Sequence, residues 1–393
     1  MEPPMPHLPP IRLTGARVLC DGALQNMPLT LAEGRIVDAP ASEIDLSGFL
    51  VLPGIIDLHG DGFERHLTPR PAAPFDKTRA LRSVAAELAA NGVTTAWLAQ
   101  GWSWEGGFRS AAATEALLSA LDAARSALLP DIRVQIRLET HVPDDHARLL
   151  RTVARYGVDY IVFNNHLPEA LAMVQNHPNR FAQWAAQQGR NPHDLLTIIE
   201  EAWARERHVP QALAVLAPAL AQHGVIMGSH DDGDTATRGF FRSIGAPVCE
   251  FPTGIEPARD AIAAGEPVIM GAPNVVRGGS QSGNIAAEAL IAEGMCSALV
   301  SDYYYPALSQ AAFSLAERGV LPLAQAWALV STAPARIMGL QDRGRLAAGQ
   351  RADLVIVDPD THAVEATIAG GRLAWAHGAV ARRFVATPAM AAQ

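Results

Sequence analysis

Val51-Leu52-Pro53-Gly54-Ile55-Ile56-Asp57-Leu58-His59-Gly60-Asp61 runs from an apolar stretch straight into residues that ligate metals. A short apolar run of this kind reads as a strand buried on both faces. Its bounds are set at Val51–Asp57, which places His59 and Asp61 just past the C-terminal end. Seven more runs of strand length follow: Val93–Ala99, Ile132–Glu139, Val158–Asn164, Val225–Gly228, Pro247–Glu250, Val268–Met270 and Ala298–Ser301. Helical patterns separate most of them. Thr78–Ala90 carries Leu81, Val84 and Leu88 on one face and stops at Gly92, and amphipathic Asp144–Tyr156 stops at Gly157. Asn284–Ala292 and Ala307–Glu317 are further helical stretches. Eight strands with helical crossovers predict an α/β protein, a (β/α)8 TIM-like barrel rather than an open sheet.

Outside this middle the texture changes. Short β-like runs with turn signals occupy Ile11–Leu19 and Gly34-Arg35-Ile36-Val37, and again Ala352–Val357 and Gly370–Trp375. The two ends are expected to pair into one small β-sandwich domain, 1–52 with 343–393, beside a barrel of 53–342. The Pro-rich residues 1–10 are expected to be mobile. The stretch at about 167–210 exceeds an ordinary connection and is expected to form a helical insertion over the barrel mouth.

The 393 residues suffice for a barrel and a smaller second domain, and 49% hydrophobic with 18% charged residues allows a large core. A net charge of −9 argues against a general nucleic-acid or membrane-surface binder, yet leaves room for a local arginine cluster that binds an anion. Cys20, Cys249 and Cys296 are an odd, scattered set, unlike a disulfide framework or a zinc knuckle. No apolar run approaches the length of a membrane span, so a soluble, reducing, cytoplasmic setting is expected, with a homodimer compatible.

Polar residues recur just after the strand ends, the face on which barrel enzymes build their sites. They are Asp57-Leu58-His59-Gly60-Asp61, Glu139-Thr140-His141, Asn164-Asn165-His166, Ser229-His230-Asp231-Asp232 and Ser301-Asp302. Imidazole and carboxylate without thiolate suit Zn²⁺, Mn²⁺ or Fe²⁺. His59 and Asp61 can bite one ion if the backbone turns at Gly60 and Gly62. Glu139 is a carboxylate able to bridge two ions. An ion held there lowers the pKa of a coordinated water towards about 7, and Asp302 is placed to take its proton. Any one of these features has an ordinary structural explanation: Asp231 and Asp232 could cap a helix, and Asp302 could cap the helix after Pro306. Five such strand ends together point to a metal site.

These residues carry a family resemblance. Leu52–His59 looks like the first-strand motif of the amidohydrolase superfamily, and Thr332–Arg336 through Gly344-Arg345-Leu346 to Ala352-Asp353-Leu354 looks like its exit from the barrel. Thr68-Pro69-Arg70-Pro71, Ser229–Asp232, Glu250-Phe251-Pro252-Thr253, Met270–Ser280 and Ser301–Tyr304 resemble the diphosphatase branch that serves the carbon–phosphorus lyase pathway. That resemblance implies a phosphonylated sugar triphosphate as substrate and pyrophosphate as product. It implies that His59, Asp61, Glu139, His166 and His230 bind one or two ions, that Asp302 handles protons, and that Asn274 belongs to the substrate-binding run. The chain departs from the branch at Gly62, at Leu167-Pro168-Glu169 and at Gln281. Lys77, the sole lysine, precedes the first helix rather than ending a strand, so a carboxylated lysine bridge is not expected and Glu139 takes that part.

An anion site is read separately from the residues. Arg277 precedes Gly278-Gly279-Ser280-Gln281-Ser282-Gly283, which leads into the helix expected at Asn284. Glycine-rich backbone N–H groups at a helix N-terminus favour phosphate, and Arg277 and Arg70 add fork-shaped donors. The rival on the same fold is an amidase or deacetylase cleaving a C–N bond, expected if the pocket is apolar and lacks Arg70 and Arg277.

Overall fold

The computed structural model describes residues 6–70, 73–187, 189–280 and 283–387. Eight parallel strands pair in chain order: β1 Ile55–Gly60, β2 Val93–Trp102, β3 Asp131–Glu139, β4 Tyr160–Asn164, β5 Ile226–His230, β6 Val248–Glu250, β7 Val268–Gly271 and β8 Ala298–Val300. The seam between β8 and β1 is closed by a short set of bonds. Asp302 donates its N–H to the His59 carbonyl at 2.9 Å, and Asp61 donates to the Asp302 carbonyl at 2.8 Å. The Asp57 carboxylate accepts the Ser301 N–H at 2.9 Å and the Ser301 hydroxyl at 2.6 Å. The barrel is thus nearly closed, with its last join made by side chains as well as backbone.

The first strand differs from its expected bounds. Leu50–Pro53 is a separate strand, antiparallel to Leu354–Val357 and parallel to Arg17–Cys20, and only Ile55 onwards belongs to the barrel. One apolar run therefore serves two sheets. The chain changes sheet at Gly54, where a Cβ would lie 2.4 Å from Thr94 Oγ1. Gly60 is likewise a matter of space, not of turning. It keeps an ordinary φ, and a Cβ there would sit 2.7 Å from Asp57 Oδ2, Ser301 Oγ and the Tyr305 ring.

Both chain ends contribute to the flanking domain. A six-stranded sheet runs Arg372–Ala376, Val364–Ala369, Leu354–Val357, Leu50–Pro53, Arg17–Cys20, Ala23–Asn26; a four-stranded sheet runs Arg35–Val37, Leu29–Ala32, Ile11–Thr14, Ser42–Asp45. Ile11, Leu13, Leu31, Ile44, Val51, Leu354, Ile356 and Ile368 form their common core, joined by Val380 and Phe384 of a C-terminal helix, Gly378–Ala386. The mobility expected of residues 1–10 does not extend to Leu8, which is buried and donates to the Gly371 carbonyl at 2.8 Å. Residues 1–5 lie outside the described residues.

Strand β3 fixes what the barrel can do, because it alternates strictly. Ile132, Val134, Ile136 and Leu138 pack outward into the large core shared with the helices. The other set, Arg133, Gln135, Arg137 and Glu139, points to the opposite face, as period two requires. There it meets the inward Tyr160 and Val162 of β4. Near the bottom, Arg133 pairs with Asp131 and Asp159, at 2.9 and 2.6 Å.

The stretch after β4 folds as three helices, Leu167–Asn176, Pro178–Gln187 and Pro192–Trp203, around their own cluster of Leu167, Phe181, Ala185, Leu195 and Ile199. Trp104, just past the C-terminal end of β2, packs against that cluster, and Arg190 donates to the Glu105 carbonyl. The insertion is thereby attached at the mouth end of the barrel. Among the described residues no helix is long and apolar enough to cross a membrane.

Asp131 ties the barrel floor to its exit segment. Its Oδ2 accepts from Arg343 at 2.8 Å, and Arg351 lies 3.9 Å away. Burial works to raise its pKa, but the hydrogen bond and charges of Arg133, Arg343 and Arg351 outweigh it and hold it at about 2. A carboxyl lowered from 3.8 to about 2 stabilises the fold fully above 3.8 and loses that contribution as pH falls through 2. Acid unfolding of Asp131→Asn should therefore lack a component on the order of 2 kcal/mol that wild type loses between about pH 4 and 2. Urea midpoints measured at pH 7 and pH 3 check this; an equal pH dependence in the two proteins removes Asp131 from the account.

Candidate active site

The mouth is built from strand ends, and three of them are strained. Asp231, Phe251 and Asp302 follow β5, β6 and β8 with φ of 59°, 53° and 54°. Non-glycine residues rarely adopt this conformation, and it persists where surrounding bonds enforce it. Here the Asp231 N–H is held by the Glu250 carbonyl at 3.0 Å, the Phe251 N–H by Ile269 at 2.9 Å and the Asp302 N–H by His59 at 2.9 Å. The ladder thus continues one residue past β5 and β6 and two past β8 while the side chains are turned towards the mouth.

Three histidines share one arrangement. His59 Nδ1 bonds Glu250 Oε2 at 2.8 Å, His230 Nδ1 bonds Asp231 Oδ2 at 2.7 Å, and His166 Nδ1 bonds Glu139 Oε1. A carboxylate can only accept, so each Nδ1 donates and Nε2 is left as the ligand atom. Such carboxylate–imidazole pairs are the usual support for metal-binding histidines. Glu250 is itself fixed: its other oxygen accepts from Gln135 at 2.9 Å and from the Tyr160 hydroxyl at 3.0 Å. The Phe251 ring stands edge-on to His59 and tilted against His230, with centroids 5.1 and 4.9 Å away.

Among the described residues, two groups each bring their donor atoms within 4.8 Å of one another: His59 with Asp61 and Asp302, and His59 with His230 and Glu250. The first fits a divalent ion best, because two carboxylates and an imidazole are hard-to-borderline donors and neither carboxylate supports a histidine. Glu250 is the support for His59 and is already triply bonded.

Charge follows from this packing. Burial pushes the Asp302 carboxyl up to about 6, with Asp61 and Asp57 adding to it and His59 and Arg137 opposing. Burial disfavours the His59 cation, but the Glu250 charge and hydrogen bond outweigh it and raise the pKa. For His230 burial prevails over Asp231 and the pKa falls.

One cavity is lined by His59, Asp61, His230 and Asp302 together with Arg137, Asn274, Arg277, Gly279 and Ser280. Glu139 and His166 line a different, smaller one, with Glu64, Glu105, Arg109 and again Arg137. The five expected ligands are therefore divided three and two. Glu139, expected as a bridge, has both oxygens engaged: Oε1 with His166 Nδ1, Oε2 with the His166 N–H and the Trp104 ring N–H, each at 3.2 Å.

The expected anion site is also altered. Arg70, three residues past the short helix Glu64–Leu67, is exposed and stands outside the cavity lining. The helix expected from Asn284 begins at Ala287 and has six residues. Asn274 Oδ1 accepts the Ala287 N–H at 2.9 Å, so the first helical donor is already taken. Gly278 is exposed and ends the helix Ala272–Arg277 with φ 78°. The departure noted at Gln281 lies outside the described residues. Arg277 bonds the Tyr303 hydroxyl at 3.2 Å and reaches the cavity from its rim.

Three site residues carried no role in the sequence reading. Glu250 ends the apolar run Pro247–Glu250, a carboxylate where the pattern asks for a core residue. Arg137 stands in the polar half of the β3 alternation. Glu64, three residues past Asp61, is pushed up to about 7 by burial, with Asp61 and Glu105 adding and Arg109 and Arg137 opposing.

Comparison with known proteins adds to this geometry. The sequence model described as "Amidohydrolase family" matches residues 289–382. The alpha-D-ribose 1-methylphosphonate 5-triphosphate diphosphatase of Escherichia coli (strain K12) is 32% identical over 327 residues, 80% of this chain and 84% of that protein. A beta-aspartyl dipeptidase from Fervidobacterium islandicum AW-1 superposes with TM-score 0.62 at 14% identity, over 93% of this chain and 97% of its own. Molinate hydrolase superposes with TM-score 0.64 at 12% identity, over 94% and 95%. At such identities the two structures speak for the fold alone.

Proposed function

The chain belongs to the amidohydrolase superfamily, and on that footing we propose that it is a metal-dependent phosphoanhydride hydrolase, converting alpha-D-ribose 1-methylphosphonate 5-triphosphate to the 5-phosphate and pyrophosphate. The observation that carries this reading is the single cavity in which His59, Asp61, His230 and Asp302 lie with Arg137, Asn274 and Arg277. Acid–imidazole donors fit a divalent ion, Zn²⁺ first with Mn²⁺ or Fe²⁺ as alternatives, and the two guanidinium groups fit a polyanion. Similarity to a diphosphatase over most of both chains supports the same substrate class.

An ion held by His59, Asp61 and Asp302, with His230 beside them, would supply Lewis-acid activation of water and charge neutralisation at phosphorus. The chain's own residues do the rest. Water attacks the phosphorus nearest the ribose; its oxygen bonds to phosphorus, and the P–O bond to the bridging oxygen breaks as pyrophosphate leaves. Asp302 takes the proton of the attacking water, and burial among Asp61 and Asp57 makes its carboxylate the more basic. Gly279, Ser280 and Arg277, on the rim side of the same cavity, hold the terminal phosphates equally before and during the reaction.

The rim assignment has its own check. Arg277→Ala should raise KM roughly 10-fold with kcat little changed, the size of one charge-assisted hydrogen bond at an exposed position. An unaltered KM would remove Arg277 from substrate binding. The reading as a whole is tested by assaying pyrophosphate release from the ribose triphosphonate by purified protein alongside its metal content. Release that tracks bound metal supports it; no release, with turnover of an acylated amine, overturns it in favour of C–N bond cleavage.

A further inference from the structure

The two cavities at the mouth have one lining residue in common, Arg137. Its position follows from β3. Period two puts it on the inner face between Gln135, which holds Glu250, and Glu139, which holds His166. The register sets Glu139 beside Asn164 of β4, and the Asn164 amide oxygen, oriented to face the guanidinium, accepts from Arg137 Nε and Nη2 at 3.1 Å each. Nη1 lies 3.9 Å from Asp61 Oδ2, and the side chain is 14% exposed. The head is thus pinned through two of its three nitrogens, with the third turned to the acidic group on the other side.

We propose that Arg137 is a built-in cation that occupies the place of a second ion between the two acid–imidazole groups, so that this chain binds one divalent ion and not two. The inference rests on the metal reading above and goes beyond it by fixing the ion number and giving the reason. Two independent features support it. Glu139, the carboxylate needed to join a second ion to the first, already accepts three hydrogen bonds. A guanidinium is always charged and cannot leave by losing a proton, so a second divalent ion beside it would meet a like charge and have to share the same carboxylates. The carboxylates facing Arg137 come from both sides: Asp61, Asp231 and Asp302 in one cavity, Glu64 in the other. One internal positive charge can serve both.

Metal stoichiometry tests this without reference to turnover. Metal-free protein is dialysed against excess Zn²⁺, and bound zinc is measured by mass spectrometry against protein concentration. Wild type is expected to hold about one ion per chain, Arg137→Met about two, and Arg137→Lys, which keeps the charge, about one. Two ions in wild type overturn the inference and leave the metal-hydrolase reading standing. One ion in Arg137→Met overturns it as well, because the guanidinium then does not set the number. No ion in wild type overturns both. If Arg137→Met does not fold, wild type and Arg137→Lys still decide: two ions in either contradicts the inference.

Discussion

Asp302→Asn is expected to lower kcat by about 10²- to 10⁴-fold, the span that a well-placed general base contributes. The substitution is nearly isosteric, and asparagine tolerates the left-handed conformation that position 302 adopts at φ 54°. The backbone bonds that close the barrel, from Asp302 N–H to His59 and from Asp61 N–H to the Asp302 carbonyl, do not involve the side chain. Seam and fold should therefore survive; loss of turnover at unchanged metal content would report the proton-accepting oxygen, and loss that follows the metal would report Asp302 as a ligand only. The check is kcat with bound metal measured on the same preparation. A variant that keeps metal and turns over at the wild-type rate would clear Asp302 of any catalytic part.

Glu250→Gln should weaken metal binding by about 10- to 100-fold, the usual cost of removing the partner that orients a ligating histidine. Glu250 touches no open space; it is fully buried and accepts from His59, Gln135 and Tyr160. A glutamine in its place must turn an NH2 group towards one of these donors, so at least one bond is lost and the His59 ring is free to take its other tautomer. The expected signature is a higher Kd for Zn²⁺ with little change in kcat at saturating metal. An unaltered Kd would mean that His59 is oriented by packing against Phe251 alone.

Much of this site was legible from the chain. An apolar run that ends in ligand-type residues marks a barrel strand and its functional end together, and His59, Asp61, His230 and Asp302 follow from that rule alone. Arg137 obeyed a different rule. In Ile132–Glu139 every second residue is polar, which marks a strand with one face turned to a polar interior. A reading that takes the run only as apolar passes over that face, and with it the cation that separates Glu139 from His59. Glu250 closes its apolar run as a lone carboxylate, followed by Phe251-Pro252 with no histidine or second carboxylate beside it, so nothing local sets it apart from a turn. Leu50–Pro53 and Ile55–Gly60 read as one strand because both are buried on both faces; only the close approach of Gly54 to Thr94 separates them. Local sequence cannot show Thr94 arriving from the neighbouring strand. The helix expected from Asn284 starts three residues later, with its first donor already bonded to Asn274, a tertiary bond that no local signal announces.

The account turns on acid and imidazole groups from β1, β5 and β8 meeting around one ion. Anomalous diffraction at the zinc edge, from crystals of the wild-type protein grown with Zn²⁺, examines that directly. One peak about 2.0–2.2 Å from a His59 nitrogen and from carboxylate oxygens of Asp61 and Asp302 is the predicted result. A peak held by Glu139 and His166 with none at His59, or no peak at the barrel mouth, would contradict it.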